Sequence, residues 1–343
     1  MTADGRLGKN MKEKFLICGL GSIGKRHLEN LEHLGAPCEN ILIFRTGKGA
    51  RSFGDEVLEA HKNRHPVFFD IDEALRGKPT ATIISNPTAL HVFFALKAAK
   101  ANSHIFIEKP LSDSFKGLDE LIKEVDERRL SAFVAYNFRF HPLLIQAKKW
   151  IESGAIGKVV SSRAEMSGRV TDWHPWEDFK ISYASREDLG GGAILSLSHV
   201  IDYLYWLFGK PRRILTAAGN FGGLGIDVED IAECIFEFSN PNHIVSFHLD
   251  FLKRPGAHFL EILGTQGSIY LDFLKTTADI MPLDAEVEKI ELKNFERNET
   301  YLEEMRNFLE CVKAGKQTTI DLKLGKEVLE VILAVKKSAR EKI

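Results

Sequence analysis

The sequence predicts an α/β protein in two parts: an N-terminal doubly wound parallel sheet, then a C-terminal half built on a mostly antiparallel sheet. Three observations carry this. Short apolar runs alternate with helical periodicity from Lys14 to Tyr136, the pattern of βαβ crossovers. Beyond Gly209 the alternation gives way to strand-like runs with few helices between them, as hairpin-connected antiparallel strands would give. A chain of 343 residues is also long enough for two domains with a core each.

Lys14–Cys18 (KFLIC) reads as a buried strand, followed by a glycine-rich turn, a helix over Ile23–Leu34 and a second strand, Ile41–Phe44. That unit has the length a right-handed crossover needs. Val67–Phe69, Thr82–Ile84, His104–Ile107 and Ala132–Tyr136 are further strands, with helices at Ile71–Leu75, Pro87–Ala99 and Leu118–Val125. The pattern changes between residues 136 and 142, dividing the chain into 12–136 and 137–343. Leu143–Glu152 is helical, Val159–Met166 alternates as a strand, and 168–190 has no period and reads as a long loop. Ala193–Phe208 reads as one helix, stopped by Gly209 and Pro211. Strands follow at Ile214–Gly219, Ile231–Phe238, Ile244–Phe251, His258–Leu263 and Ser268–Phe273, the last two joined by the turn Gly264–Gly267. Tyr301–Ala314 and Gly325–Ala339 are helical.

Lys plus Arg is 46 against 48 for Asp plus Glu. That balance gives no electrostatic reason to expect nucleic acid or an anionic membrane as partner. No apolar run is long enough to span a bilayer, and the N-terminus lacks the pattern of a secretory signal; the expected compartment is the cytoplasm. The 4 cysteines are widely spaced with no CxxC pair, which favours reduced thiols over a disulfide framework or a zinc site. His174 has no partner at metal-ligand spacing, and His61 with His65 makes no convincing pair. No metal is expected.

Gly19-Leu20-Gly21-Ser22-Ile23-Gly24 is G-x-G-x-x-G between a strand and a helix, the context that makes this motif specific. Gly19 permits the tight turn, Gly21 lets a pyrophosphate approach the backbone, and Gly24 lets the helix pack on the strand. The N-terminal half is therefore read as a Rossmann domain for a nicotinamide dinucleotide, with Ser22 and Ile23 also at the cofactor. The second strand ends in Phe44-Arg45-Thr46, where a ribose-binding carboxylate would be expected. Arg45 can meet a 2′-phosphate, so NADP is favoured over NAD; stacking of Arg45 on the adenine of NAD is the alternative.

Several further motifs occur in order: Gly24-Lys25-Arg26-His27; Asn86-Pro87-Thr88-Ala89-Leu90-His91; Glu108-Lys109-Pro110; Asn137-Phe138-Arg139-Phe140-His141-Pro142; and Gly190-Gly191-Gly192-Ala193, leading to His199 and Asp202. Together they resemble the Gfo/Idh/MocA oxidoreductases over nearly the whole chain from Lys12. The resemblance implies a Rossmann domain followed by an α/β domain with a large open sheet, one face for substrate and the other often against another subunit. It implies hydride transfer between NAD(P) and a hydroxyl carbon of a sugar or cyclitol. Cofactor contacts are implied for Asn86, Pro87, His91, Glu108 and Lys109, and substrate contacts for Arg139, Trp173, Ser196 and Asp202. The stretch Asp172–Asp178 with Tyr183–Arg186 resembles a subgroup associated with bacterial surface sugars, including nonulosonates. Where the family often carries an acid, a turn before the catalytic histidine, this chain has Ser196; Asp202, on nearly the same face as His199, is the nearest substitute.

Oxidising an alcohol requires a base matched to the working pH and within reach of the hydroxyl. His199 has a suitable unperturbed pKa, and Lys109 would acquire one by burial beside a cationic nicotinamide. Either is a candidate for the immediate base. The tryptophans of the 168–190 loop, Trp173 and Trp176, with His174 and Asp178, suit sugar faces and hydroxyls; the alternative is that the tryptophans plug the core. Three functional classes remain open: a sugar dehydrogenase or reductase; a lyase, hydratase or epimerase that recycles tightly bound NAD(H); and a non-catalytic dinucleotide-binding protein. A strand-rich half with one sheet face free of helices predicts a homodimer or homotetramer.

Overall fold

The computed structural model describes residues 11–46, 53–173, 175, 177–239 and 242–341. Six parallel strands form the first sheet: β1 (Phe15–Cys18), β2 (Ile41–Phe44), β3 (Val67–Phe68), β4 (Ala81–Ile84), β5 (His104–Glu108) and β6 (Ala132–Ala135). Their order, β3-β2-β1-β4-β5-β6, is that of dinucleotide-binding doubly wound sheets. β1, β2, β4 and β6 are buried along their whole length, which is why they read as continuous apolar runs. Helices α1 (Ser22–His33), α2 (Phe53–His61), α3 (Ile71–Arg76), α4 (His91–Lys100) and α5 (Leu118–Glu127) lie between them in sequence. α2 was not foreseen. The helix expected from Pro87 starts at His91, after a short 3-10 turn over Thr88–Leu90.

After α6 (Pro142–Glu152) comes β7 (Val159–Ser167), and the loop that follows is punctuated by three 3-10 turns. The expected helix Ala193–Phe208 is two helices, α7 (Ala193–Ser196) and α8 (His199–Phe208). Nothing in its apolar run marks a break, and the cause is tertiary. In a continuous helix the Ser196 carbonyl would accept from Val200 N, but Val200 N turns to Leu197 O at 3.3 Å. The Ser196 carbonyl instead accepts from Lys109 Nζ at 2.8 Å. β8 (Arg213–Gly219), β9 (Ile231–Ser239), β10 (Asn242–Asp250), β11 (Ala257–Gly264), β12 (Gly267–Asp272), β13 (Thr277–Pro282) and β14 (Glu288–Glu291) complete the second sheet.

Its order is β14-β13-β12-β11-β7-β10-β9-β8, and every pairing except β7 with β10 is antiparallel. α6, α7, α8 and the last helix, α10 (Leu322–Glu341), pack against this sheet. On the other face Ile235, Ile244 and Leu263 are 40%, 50% and 49% exposed.

The chain then returns to the first sheet. α9 (Asn298–Ala314) packs on α1 and β6, and α10 on α5 and β6. Between them the segment 318–320 closes the β6 edge: Thr318 Oγ1 donates to Ala132 O, and Val134 N donates to Ile320 O at 2.8 Å.

Candidate active site

The glycine loop leaves the C-terminal end of β1. Gly19 has φ +95°, and a Cβ there would stand 2.9 Å from Ser85 O. A Cβ on Gly24 would stand 2.2 Å from Gly19 O, so only glycine lets α1 approach this closely. Gly21 differs: a Cβ would meet no protein atom within 4 Å. Its requirement is not set by the protein's own packing and fits a ligand approaching the backbone. Gly21 caps α1 without a side-chain bond, and the first turn holds no acid. The positive helix end thus keeps its free N–H groups for an anion. Gly21 and Ser22 are exposed and Ile23 half-buried, so the loop fits a dinucleotide pyrophosphate. Arg45, half-buried, and Thr46, exposed, follow β2 at the same edge, with Arg45 N donating to Phe68 O at 3.1 Å.

Asn86 and Pro87 follow β4 beside this loop. His91, expected to touch the cofactor, is buried, with Nε2 2.9 Å from Asn86 O and Nδ1 2.9 Å from Pro110 O. Both ring nitrogens are taken by backbone carbonyls. His91 braces the β4 and β5 exits against each other and presents no nitrogen to a ligand.

Lys109 leaves β5 at the edge shared with Gly19. Its amine reaches across to α7 and donates to Ser196 O at 2.8 Å. Burial lowers its pKa from the ordinary lysine value, Glu108 opposes this and Arg297 adds to it. His199, three positions on from Ser196, is 4% exposed, and its Nδ1 has no hydrogen-bond partner. Burial, then the charge of Lys109, hold its pKa well below the usual range. Its ring lies 4.9 Å from that of Phe138. Phe138 also meets His258 at 4.8 Å. Burial brings that β11 histidine down to about 3.

Arg139 and Asp202 were both expected at the substrate. They bind each other instead: Arg139 Nη2 donates to Asp202 Oδ1 at 2.7 Å, and Nε approaches both oxygens at 3.1 Å. The side chains are 7% and 0% exposed. Each charge is met by the other, and His199 Nδ1 has no hydrogen-bond partner. Ser196 contributes its backbone carbonyl. Trp173 is partly buried and packs edge-on against Phe251 at 5.1 Å; Asp178 is exposed, and His174 and Trp176 lie outside the described residues.

Behind Lys109 lies a group the sequence reading missed. His27 Nε2 is 2.7 Å from Glu108 Oε1, and Glu304 of α9, fully buried, has neither carboxylate oxygen hydrogen-bonded. The ligating atoms of these three side chains lie within 4.8 Å of one another. Burial, with Glu108 nearby, pushes Glu304 well above the usual carboxylate range. Burial also raises Glu108, but its bond to His27 and the charges around it pull it lower. Burial thus favours the neutral form of Glu304, and the bond to His27 the charged form of Glu108. In the sequence His27 stands only as part of the motif Gly24–His27, and Glu304 carries no local signal.

Two family models match the chain: an oxidoreductase family with an NAD-binding Rossmann fold over residues 13–136, and the GFO/IDH/MocA C-terminal domain over 144–270. The chain is 26% identical over 341 residues to a myo-inositol 2-dehydrogenase of Thermotoga maritima, spanning 95% of this chain and 96% of that one. It is 27% identical over 198 residues to a 2,7-anhydro-N-acetylneuraminate hydratase of Mediterraneibacter gnavus, spanning 56% and 51% of the two chains. A levoglucosan dehydrogenase solved with NADH and levoglucosan superposes with a TM-score of 0.82 at 20% identity, covering 96% of this chain and 98% of that one. With both halves matched by its models, the chain belongs to the GFO/IDH/MocA family of NAD-binding oxidoreductases.

Proposed function

We propose that this oxidoreductase moves a hydride between NAD(P) and a hydroxyl carbon of a sugar-like substrate, with Lys109 as the group that takes the hydroxyl proton. The observation that carries this is the placement of the Lys109 amine. It sits at the carboxyl edge of the parallel sheet, where ligands of such sheets bind, the edge from which the glycine loop also leaves, and is tied to α7 just ahead of His199. The myo-inositol dehydrogenase relative supports a polyhydroxylated substrate.

When bound, the nicotinamide supplies the hydride acceptor. Lys109, its amine biased toward the neutral form by burial, receives the hydroxyl proton. The ammonium so formed is stabilised by the Ser196 carbonyl and the Glu108 carboxylate. His199, kept neutral by burial, hydrogen-bonds the same oxygen and relays the proton onward. Gly19, Gly21, Ser22, Ile23 and Gly24 hold the pyrophosphate, with Asn86 and Pro87 beside the nicotinamide and Trp173 toward the substrate. Arg45 favours NADP(H), since no carboxylate ends β2. Residues 12–136 are the cofactor unit and 137–343 the substrate and assembly unit. The assembly is a homodimer or homotetramer, and the compartment is the cytoplasm. Among the described residues no helix is long and apolar enough to cross a membrane.

Lys109→Ala tests the role. Cofactor affinity should stay within a few-fold while the chemical step falls by about 10²–10⁴; an undiminished step would refute it. Arg45→Ala should weaken NADPH more than NADH. The hydratase relative favours a second reading, in which the hydride returns to a product and NAD(H) is recycled. Net nicotinamide reduction, followed by absorbance with a panel of sugars, separates the two.

A further inference from the structure

We propose that Glu32, Cys38 and His65 form a site for a divalent cation of the zinc class, at the edge of the first sheet opposite the glycine loop. Glu32 is near the C-terminal end of α1, Cys38 opens the 3-10 turn leading into β2, and His65 precedes β3. These ends meet where the parallel strands begin, far along α1 from the cofactor loop. His61 and His65 alone gave no reason to expect a metal; the missing ligands come from other elements.

The donor atoms are arranged as a cation would require. Those of the three side chains all lie within 4.8 Å of one another. Glu32 Oε1 is 3.1 Å from His65 Nε2 and 3.2 Å from Cys38 Sγ. For a tetrahedral zinc with bonds of roughly 2.0–2.3 Å, neighbouring ligands stand about 3.3–3.8 Å apart, so only small adjustments are needed.

The state of His65 points to a ligand. Its side chain is fully buried. Nδ1 lies 2.9 Å from Cys38 O, and a carbonyl can only accept, so Nδ1 carries the proton and donates. Nε2 is then the nitrogen that faces Glu32, 3.1 Å from its Oε1. It has no hydrogen-bond partner, because its approach to Glu32 Oε1 is not aligned as a hydrogen bond. In the metal-free protein Cys38 Sγ donates to Glu32 Oε1; once a metal displaces that proton, a ring nitrogen, a carboxylate oxygen and a thiolate face one point. A ligating histidine whose other nitrogen is tied to a backbone carbonyl is the usual support of a metal site. The mixed sulfur, nitrogen and oxygen donors suit zinc and disfavour magnesium or calcium.

Arg64 supplies that positive charge in the metal-free protein: its Nη2 is 2.8 Å from Glu32 Oε1 and 3.1 Å from Cys38 Sγ. Its side chain is 52% exposed, so it has room to swing outward when a metal enters. His61 flanks the site, its ring centre 5.5 Å from that of His65 and its Nδ1 without a hydrogen-bond partner.

The test uses the full chain, stripped with chelator and titrated with Co²⁺, then with Zn²⁺ in competition. Saturable one-to-one binding is expected, with a thiolate-to-cobalt charge-transfer band and tetrahedral visible bands that zinc abolishes. Cys38→Ser should remove the charge-transfer band. His65→Gln should weaken zinc by more than the roughly 10–100-fold that follows loss of a mere outer partner. Arg64→Gln, an exposed change that leaves all three ligands in place, should tighten binding. Absence of saturable binding in the unmodified and Arg64→Gln proteins would overturn the proposal and leave His65 as a plain ion-pair partner of Glu32. A charge-transfer band that survives Cys38→Ser would also overturn it. Neither readout needs turnover.

Discussion

Asp202→Asn separates a substrate-binding pair from a structural one. Asp202 and Arg139 are almost wholly buried and joined by three N–O contacts of 2.7–3.1 Å. Burial raises the Asp202 carboxyl pKa against the pull of Arg139, so the pair is bound at a real desolvation cost. Replacing the carboxylate by an amide leaves a buried guanidinium without a counter-charge. Breaking one member of such a pair costs about 3–5 kcal/mol. At about 2–4 °C per kcal/mol for a domain of this size, the melting temperature should fall by roughly 6–20 °C. Replacing both, Arg139→Met with Asp202→Leu, should recover most of that loss, because no unpaired charge remains. The assay is thermal unfolding of the four proteins in a double-mutant cycle, with KM measured on the same preparations. If Asp202→Asn melts within about 2 °C of the unmodified protein while KM for the sugar rises, the pair serves the substrate and the reasoning fails.

Three further outcomes follow from the site. In the oxidation direction kcat/KM should rise with pH along a limb below the ordinary lysine value of 10.5, because burial lowers the Lys109 amine. Glu108 favours the charged amine, so Glu108→Gln should move that limb to still lower pH, and an unmoved limb would remove Lys109 from the base role. Gly21→Val should weaken the cofactor with little change in melting, whereas Gly24→Ala, with its Cβ 2.2 Å from Gly19 O, should cost about 1–3 kcal/mol of stability; equal melting losses would refute the distinction. Ile244→Glu, on the sheet face without helices, should shift the mass seen by light scattering toward the monomer, and an unchanged oligomer would place the interface elsewhere.

The first sheet was legible because its strands are buried on both faces, so KFLIC and ILIF stand out against any background. The edge strand β14 (EKIE) and its neighbour β13 (TADIMP) were missed because they are short or polar and half in solvent. The glycine loop was legible because its constraints lie within six consecutive residues. The break at Leu197 was not, since it is set by an amine from position 109. The motifs that carry the resemblance point to Arg139 and Asp202 separately, but that the two meet, 63 positions apart, is not visible in the sequence. Glu304 sits in a helix whose exposed face is charged, and only packing against β5 and α1 distinguishes it from its neighbours.

The closure of the β6 edge by residues 318–320 has a consequence for biosynthesis. The hydrogen bond from Thr318 to Ala132 spans 186 positions. At about 5–20 residues per second of translation, the nascent N-terminal module waits roughly 10–40 s for its last covering segment. Through that interval β6 presents an unpaired apolar margin outside the ribosome, the kind of edge that recruits other chains. Emergence of residues 318–320, rather than completion of the first 136 residues, is the moment at which the β6 edge of the cofactor-binding half can close. Ribosome-stalled chains ending before residue 318 should therefore be bound by chaperones, and those extending far enough past 320 to clear the exit tunnel should not.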